Sequence, residues 1–227
     1  MEKILLLFGS SGHLGKTAIS YFLNQDYNKY YFFTRKPLDI SPAENVNIIF
    51  VEDLSIEKNV ADAFSKININ NNSLLFLFNT IGTYYGGKRI EDTPYEEWKS
   101  LLDINLNSSF FIAKYFVKLV KEAKGGSICF TSAYSAFYNE PNIAAYGVSK
   151  SALNYLVKSL SIEGKEINMS ANAVAPYIID TPENREWMKD KSKLIPALKI
   201  CEVVQKIFDE WKILTGNIIS FFEFIEN

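Results

Sequence analysis

KILLLFGSSGHLG, residues 3–15, is the most informative stretch of this 227-residue chain for predicting its fold. The apolar run Lys3–Phe8 predicts a β-strand, and the amphipathic run Leu14–Asn24 predicts the helix after it. Between them Gly9, Gly12 and Gly15 recur at three-residue spacing. Glycine lets the backbone turn tightly and approach a pyrophosphate, which the helix N-terminus then faces. The stretch therefore predicts a dinucleotide-binding turn, and a plain strand-to-helix turn is the alternative.

Short apolar runs continue along the chain and alternate with amphipathic stretches, as in repeated βαβ units. Several of these runs are apolar at nearly every position, which is typical of parallel strands buried on both faces. The further strand candidates are Tyr30–Thr34, Asn47–Val51, Ser73–Phe78, Ser127–Thr131, Met169–Ala175 and Asn217–Phe222. The further helix candidates are Ser55–Ser65, Thr93–Leu106, Ser108–Glu122, Ala144–Glu163 and Cys201–Leu214. We predict an α/β fold with a Rossmann-type, doubly wound, seven-stranded parallel sheet that has helices on both faces, in one domain over residues 1–227.

Several boundary signals accompany these elements. Ser55 is a candidate N-cap, and Thr93-Pro94-Tyr95-Glu96 reads as a capping box. Gly125-Gly126 predicts a stop after a helix. The segment 35–46 contains Pro37 and Pro42, so this crossover is predicted to be short or irregular.

The composition restricts the class of protein. Apolar residues make up 48% and charged residues 22%, which is typical of a globular chain, and the net charge is −2. No basic tract stands out, so we expect neither nucleic acid nor a membrane as a partner. The apolar run at the N-terminus is too short to cross a bilayer, and Cys129 and Cys201 lie in apolar runs as expected for buried thiols. We therefore expect a cytoplasmic protein without a metal site.

The end of the second predicted strand bears on the choice of dinucleotide. In NAD-preferring sites a carboxylate at this position accepts a hydrogen bond from the ribose 2′-hydroxyl. Here the strand ends Thr34-Arg35-Lys36, with two cations and no acid. Cations favour a 2′-phosphate, so NADP(H) is predicted over NAD(H). The alternative is that both are solvated surface charges.

Three later motifs complete a recognisable set. Asn79-Thr80-Ile81-Gly82 follows the fourth strand, Asn105 lies inside a helix, and Tyr146-Gly147-Val148-Ser149-Lys150 follows at a distance. With the glycine turn, this order and spacing resembles the short-chain dehydrogenase/reductase family over roughly Lys3 to Ser220. The resemblance implies an NAD(P)H-dependent oxidoreductase that transfers hydride between a nicotinamide and a carbonyl or alcohol carbon of a small molecule.

The chemistry gives a reason for the tyrosine–lysine pair. A carbonyl oxygen gains a proton as its carbon is reduced, and a tyrosine can supply it as general acid. A neighbouring ammonium favours the phenolate and so is expected to lower the phenol pKa. Tyr146 and Lys150 are four residues apart and share a helix face, although an ordinary amphipathic pair has the same spacing. By resemblance Lys150 also holds the nicotinamide ribose, and Asn105 positions a water on a proton relay behind it.

The resemblance also assigns the remaining cofactor contacts. Asp53 and Leu54 match the adenine site, Asn79 steadies the central strand, and Ile179 and Thr181 hold the nicotinamide carboxamide. Residues 182–198 match a short substrate lid, and the family implies a homodimer or homotetramer through the helices 93–122 and 144–163. The complete set of expected cofactor-binding residues is Gly9, Ser11, Gly12, His13, Leu14, Gly15, Arg35, Asp53, Leu54, Asn79, Gly82, Lys150, Pro176, Ile179 and Thr181.

Four departures from the family pattern matter. His13 stands where the family usually has its middle glycine. Ala133 stands where the family has its catalytic serine, so either Ser132 moves into place through a bulge or no hydroxyl polarises the carbonyl. Tyr177 replaces a glycine, and either narrows the pocket or packs away on the lid. The tail Ser220–Phe224 lacks the usual Asp-Gly-Gly, which makes a tetramer less certain.

These departures leave the function open between related activities. Alanine at the serine position, the glycine spacing and the short second crossover also occur in the family's dihydropteridine reductases. Those enzymes, however, carry an acid for NADH where this chain has Thr34-Arg35. A non-catalytic dinucleotide-binding sensor or scaffold is the other alternative.

Overall fold

A computed structural model describes residues 1–41 and 43–222 of the chain. Its strands in chain order are β1 (Glu2–Phe8), β2 (Lys29–Thr34), β3 (Val46–Phe50), β4 (Ser73–Asn79), β5 (Gly125–Thr131), β6 (Met169–Pro176), β7 (Ile178–Ile179), β8 (Leu194–Ile195) and β9 (Ile218–Phe221). All except β7 and β8 join in one parallel sheet of order β3-β2-β1-β4-β5-β6-β9. The predicted seven-stranded parallel sheet is confirmed, and each predicted strand lies within two residues of its observed bounds.

The described part of the chain forms seven α-helices. They are α1 (His13–Phe22), α2 (Glu57–Phe64), α3 (Tyr95–Leu102), α4 (Ser108–Val120), α5 (Ala144–Glu163), α6 (Pro182–Trp187) and α7 (Ala197–Asp209). Alternation along β1 explains the two helix layers, because successive strand side chains point to opposite faces. Ile4, Leu6 and Phe8 enter the core shared with α2, α4 and α5, whereas Leu5 and Leu7 enter the core shared with α1 and α7. The predicted burial on both faces is therefore confirmed.

The order of the strands indicates where on the sheet a ligand can bind. Strand order reverses between β1 and β4, because β1 connects outward to β2 and β4 connects the other way to β5. The loops after these strands diverge there and leave a crevice at their carboxyl ends, where ligands bind in open α/β sheets. The crossover between β2 and β3 has no helix in its described residues, as the prolines predicted; Pro42 itself lies outside the described residues.

Two predicted N-caps are wrong. Ser55 is not the N-cap of α2, because Ile56 holds that position and the Ser55 hydroxyl donates to Asp53. Thr93 is not the N-cap of α3, since Pro94 holds that position and the Thr93 hydroxyl donates to the Arg89 carbonyl. The helix α4 ends at Val120, before Gly125-Gly126 as predicted, and the two glycines begin β5.

Two helix predictions also shift. The predicted helices 93–106 and 108–122 are joined by a π-helical segment, Asp103–Asn107, in helical conformation. The last long helix runs over Ala197–Asp209, about one turn earlier than the predicted Cys201–Leu214. Pro196 forms its N-cap, a position at which the absent proline N–H costs no helical bond.

Candidate active site

A cavity of about 480 Å³ opens at the carboxyl edge of the sheet. Its walls come from Leu14, residues 80–84, the loop after β5, the start of α5, and the segment between Pro176 and Met188. Tyr146 and Lys150 line this cavity together with Gly82, Ile179 and Thr181. The fold thus brings sequence-distant members of the predicted site into one crevice.

The glycine turn is tight enough to require glycine at two of its positions. Gly9 has φ +81°, and Gly12 closes the turn by donating to the Gly9 carbonyl at 3.0 Å. A Cβ on Gly15 would lie 2.1 Å from the Gly9 carbonyl oxygen, so any side chain there collides with backbone. His13, the first residue of α1, is exposed, and Ser11 is partly exposed. The open end of α1 fits an anion such as a pyrophosphate, because the first turn of a helix has N–H groups without intrahelical partners.

The end of β2 presents a free cation. The Thr34 hydroxyl donates to the Lys36 carbonyl at 2.7 Å and holds the bend, while Arg35 is exposed. Arg35 forms no ion pair with any residue that the structure describes. Asp53 accepts hydrogen bonds from the N–H and the hydroxyl of Ser55, and Leu54 is buried beside it.

Asn79 and Gly82 shape the loop after β4. The Asn79 amide oxygen accepts from the Ile81 N–H at 3.0 Å, and its amide nitrogen donates to the Ser109 hydroxyl. A Cβ on Gly82 would lie 3.0 Å from Lys150 Nζ and 3.4 Å from Asn105 Oδ1. Glycine at position 82 therefore lets the backbone approach the buried ammonium.

Asn105 lies in the π-helical segment and is fully buried. Its amide oxygen accepts from the Thr83 N–H at 2.8 Å, and its amide nitrogen donates to the Thr83 carbonyl and the Ser149 hydroxyl. These bonds tie the loop after β4 to α5. The predicted water relay behind Lys150 stays a prediction.

Tyr146 and Lys150 occupy one face of α5, as predicted. Lys150 Nζ donates to the Thr131 carbonyl at 2.8 Å and lies 6.0 Å from the centroid of the Tyr146 ring. The Tyr146 ring meets the Tyr84 ring edge-on at 5.0 Å between centroids. The phenol and the ammonium therefore share the floor of the cavity.

The pKa of Tyr146 shifts in the direction opposite to the one expected from the sequence. Burial raises the pKa of the Tyr146 phenol, and Tyr84 and the Glu140 carboxylate act in the same direction. Burial lowers the pKa of Lys150 to about 8. The expected lowering of the Tyr146 pKa by Lys150 is thus wrong for this state, because burial disfavours the charged form of the phenol.

The buried Lys150 ammonium predicts a pH-dependent stability. The unfolded chain holds this proton up to its ordinary pKa of 10.5, and the folded chain only up to about 8. Stability rises with pH wherever the unfolded state binds more protons. The wild type should therefore gain roughly 3 kcal/mol of unfolding free energy relative to Lys150→Met between pH 8 and 10.5. Denaturant titrations of both proteins across this range measure that difference.

A lysine exposed on the same helix serves as the control. Lys158→Met removes a solvated ammonium whose surroundings change little on unfolding. We expect its unfolding free energy to run parallel to that of the wild type. If the difference in unfolding free energy between the wild type and Lys150→Met also stayed constant with pH, Lys150 would not be a buried charged group.

Ser132 lines the cavity, but its hydroxyl is hydrogen-bonded within the protein. Its Oγ donates to Asn154 Oδ1 at 2.6 Å, and both residues are buried. A hydroxyl has one proton, so this bond uses the one that would polarise a carbonyl. Ala133 is buried and supplies no replacement. The arrangement therefore leaves the family's serine position without a free hydroxyl proton.

The segment after β6 forms the outer wall. Tyr177 lines the cavity and also packs edge-on against Tyr134 and Phe222 at 5.6 and 6.1 Å between ring centroids. It therefore does not pack away on the lid. Ile179 pairs with Ile195 in the β7–β8 ladder, and Thr181 caps α6 by accepting from the Asn184 N–H. The aromatic tail reaches this wall through Phe222; residues 223–227, including Phe224, lie outside the described residues.

Sequence reasoning missed several cavity residues, among them Tyr84 and Glu140. Both lie in loops after sheet strands, Tyr84 after β4 and Glu140 between β5 and α5. Loops at the carboxyl ends of parallel strands converge on one crevice, and this rule could have identified them. No motif spacing indicated either residue.

In 1–41 and 43–222 no helix combines the length and apolarity needed to cross a bilayer. The same residues contain no group of three histidine, cysteine, aspartate or glutamate side chains arranged to hold a metal ion.

The chain is similar in sequence to known oxidoreductases. The sequence model of the family described as enoyl-(acyl carrier protein) reductase matches residues 36–207. The chain is 28% identical over 213 residues to a dihydropteridine reductase of Dictyostelium discoideum, covering 93% of this chain and 88% of that protein. It is 34% identical over 113 residues to human dehydrogenase/reductase SDR family member 4, covering 50% of this chain and 40% of that protein.

A solved structure shares the fold. ElxO with NADP bound superposes with a TM-score of 0.84 at 23% identity, and the match covers 97% of each chain. The family model extends over most of the chain, and it matches the region that contains the Tyr146–Lys150 pair and the loops around the cavity. The chain therefore belongs to the short-chain dehydrogenase/reductase family of oxidoreductases.

Proposed function

We propose that this chain is an NADP(H)-dependent oxidoreductase that interconverts a carbonyl and an alcohol carbon of a small molecule, with Tyr146 as general acid and base. The observation that carries the proposal is the position of Tyr146 and Lys150 together on the cavity floor, at the carboxyl edge of the sheet. The proposal also treats residues 1–227 as one domain, with residues 182–198 as a lid. Trp187 and Met188 support the lid, because both line the cavity.

The residues present fit a nicotinamide dinucleotide. A side chain at Gly9 or Gly15 would collide with neighbouring atoms of the turn. At Gly82 the absence of a side chain leaves space beside Lys150. We assign the pyrophosphate to this turn and the 2′-phosphate to Arg35. When bound, the reduced cofactor supplies hydride to the substrate carbon.

The chain's own groups then handle the proton. Because burial raises the Tyr146 pKa, the phenol stays protonated at neutral pH and can donate to a carbonyl oxygen as it becomes an alkoxide. Lys150 places a positive charge near the phenolate that remains. Oxidation of an alcohol needs the phenolate as base, so this direction should gain rate as pH rises.

The first experiment mixes the protein with NADPH and a panel of carbonyl compounds and follows the absorbance of reduced nicotinamide. Consumption of NADPH that depends on the carbonyl supports the proposal. Tight NADPH binding without turnover of any substrate would favour the non-catalytic alternative.

One observation favours a dihydropteridine-reductase-like subtype. Ala133 occupies the family's serine position, and the neighbouring Ser132 hydroxyl donates to Asn154. The match to the Dictyostelium dihydropteridine reductase covers most of both proteins. Turnover of quinonoid dihydropterin far above that of any ketone would decide for this subtype.

Cofactor choice gives a direct test of Arg35. Charge-assisted hydrogen bonds contribute about 1.5–3 kcal/mol, so Arg35→Asp should lower kcat/KM for NADPH roughly 10- to 100-fold and improve use of NADH. Steady-state kinetics with both cofactors measures the ratio. Arg89→Asp is the control, because Arg89 is exposed, pairs with Glu91 and lies outside the cavity lining. An unchanged ratio in Arg35→Asp would mean that Arg35 is a solvated surface charge.

We also propose a homo-oligomer that forms through the helices of residues 93–122 and 144–163. Val148, Tyr155 and Ile162 recur every seven residues on α5 and are all exposed, Tyr155 by 75%. Residues at this spacing share one helix face, so they form an apolar stripe in contact with water. Sedimentation should show a dimer or tetramer that Tyr155→Lys with Ile162→Lys converts to monomer. The control Ile213→Lys changes an exposed isoleucine beyond α7 and should leave the mass unchanged.

A further inference from the structure

The lining of the cavity combines aromatic rings with a single carboxylate among the described residues. Tyr84, Tyr146, Tyr177 and Trp187 all line it, and their rings come from four different segments of the chain. Glu140 is the one acidic residue among the described residues that line the same cavity. Rings and a carboxylate are both groups that attract a positive charge.

Glu140 has no cationic partner of its own. It forms no ion pair or side-chain hydrogen bond within the part of the chain that the structure describes. Among the described residues that line the cavity, Lys150 is the only basic one, and it is buried at the floor, where its Nζ donates to the Thr131 carbonyl. Arg185 on the lid pairs with Asp180 and does not line the cavity.

The carboxylate acts on the phenols around the cavity. Its charge contributes to raising the pKa of Tyr84, Tyr134 and Tyr146. Glu140 is itself exposed, so it lies toward the open side of the cavity and not beneath it. The rings can contact the body of a ligand while the carboxylate faces its outer end.

We propose that Glu140 is a specificity-determining residue that selects carbonyl substrates carrying a positive charge, such as an ammonium group, at the end remote from the carbonyl. The carbonyl then meets Tyr146, the cation meets Glu140, and the aromatic walls contribute cation–π contacts. An anionic substrate would instead face like charge at Glu140. The role of Glu140 in substrate turnover rests on the proposed function. Its preference for binding cations does not depend on turnover.

Three para-substituted benzaldehydes test the preference. 4-(Trimethylammonio)benzaldehyde and 4-tert-butylbenzaldehyde have the same shape and differ in charge, and 4-carboxybenzaldehyde carries the opposite charge. Calorimetric titration without NADPH gives dissociation constants that need no turnover. We expect the cation to bind about tenfold more tightly than the tert-butyl compound, and the carboxylate to bind about tenfold more weakly.

Glu140→Gln should reduce the ratio between the cation and the tert-butyl compound to about two- or threefold, since the rings remain. Glu210→Gln, which makes the same charge change at an exposed site outside the cavity, should keep the wild-type ratio. The proposal is overturned if the cation shows no preference or no measurable binding, or if its advantage persists in Glu140→Gln. If the three aldehydes bind in the expected order of charge but none of them causes NADPH consumption, the role of Glu140 in binding is supported and the proposed function is contradicted.

Discussion

Tyr146→Phe should lower kcat for carbonyl reduction about 10³-fold and leave the affinity for NADPH unchanged. The substitution removes one hydroxyl from a ring that lines the cavity and packs edge-on against Tyr84. A positioned general acid contributes about 10²- to 10⁴-fold to a rate. Steady-state kinetics and a separate NADPH titration by fluorescence distinguish lost proton transfer from lost cofactor binding.

The same change on the opposite face of the helix is the control. Tyr155 lies on α5 and is 75% exposed, so Tyr155→Phe should keep kcat within about twofold. Full activity in Tyr146→Phe would exclude this phenol as the proton donor. The pH profile adds a second criterion: reduction should hold its rate through neutral pH, because burial raises the Tyr146 pKa and preserves the donor.

Gly15→Ala should destabilise the fold by roughly 3 kcal/mol and abolish measurable NADPH binding. The new Cβ would lie 2.1 Å from the Gly9 carbonyl oxygen and 2.9 Å from the Gly9 carbonyl carbon. These are backbone atoms of the turn, and Gly9 is itself held at φ +81° beside Thr80. Relief of the collision must therefore move the turn or tilt α1, and either movement spoils the anion site. Chemical denaturation and NADPH titration measure the two effects.

Gly147→Ala separates this collision from the general effect of alanine in a helix. Gly147 lies inside α5, and a Cβ there would meet only the Ser135 carbonyl oxygen at an ordinary 3.6 Å. Alanine is the better helix former by about 1 kcal/mol, so Gly147→Ala should hold or raise the stability. If Gly15→Ala were as stable as the wild type and still bound NADPH, the close helix–turn contact would not matter for the site.

The order of elements and the main members of the site could be predicted from the sequence. The strands were found because apolar runs bounded by turn residues are a local signal, and alternation along β1 then fixed which side chains enter each core. The glycine turn and the Tyr146–Lys150 pair were found because both depend on short spacings within adjoining elements.

Helix ends and side-chain partners were harder to predict. Thr93 and Ser55 are residue types that often form N-caps. In this fold, however, each hydroxyl donates to an acceptor on the preceding residues. Ser132 adjoins the family's serine position, but Asn154, twenty-two residues later on α5, takes its proton. Such competition depends on where other segments lie, and no spacing in the sequence shows it.

Local patterns in the sequence were enough to establish the parallel α/β architecture, the glycine turn between β1 and α1, and the placement of a phenol and an ammonium on one helix face. These follow from periodicity and backbone sterics, which act over a few residues. The raised pKa of Tyr146, the bond that holds Ser132 and the entry of Glu140 into the cavity became evident only in the packed fold. Each of these depends on desolvation or on contacts between segments far apart in the chain, and both arise only when the segments pack.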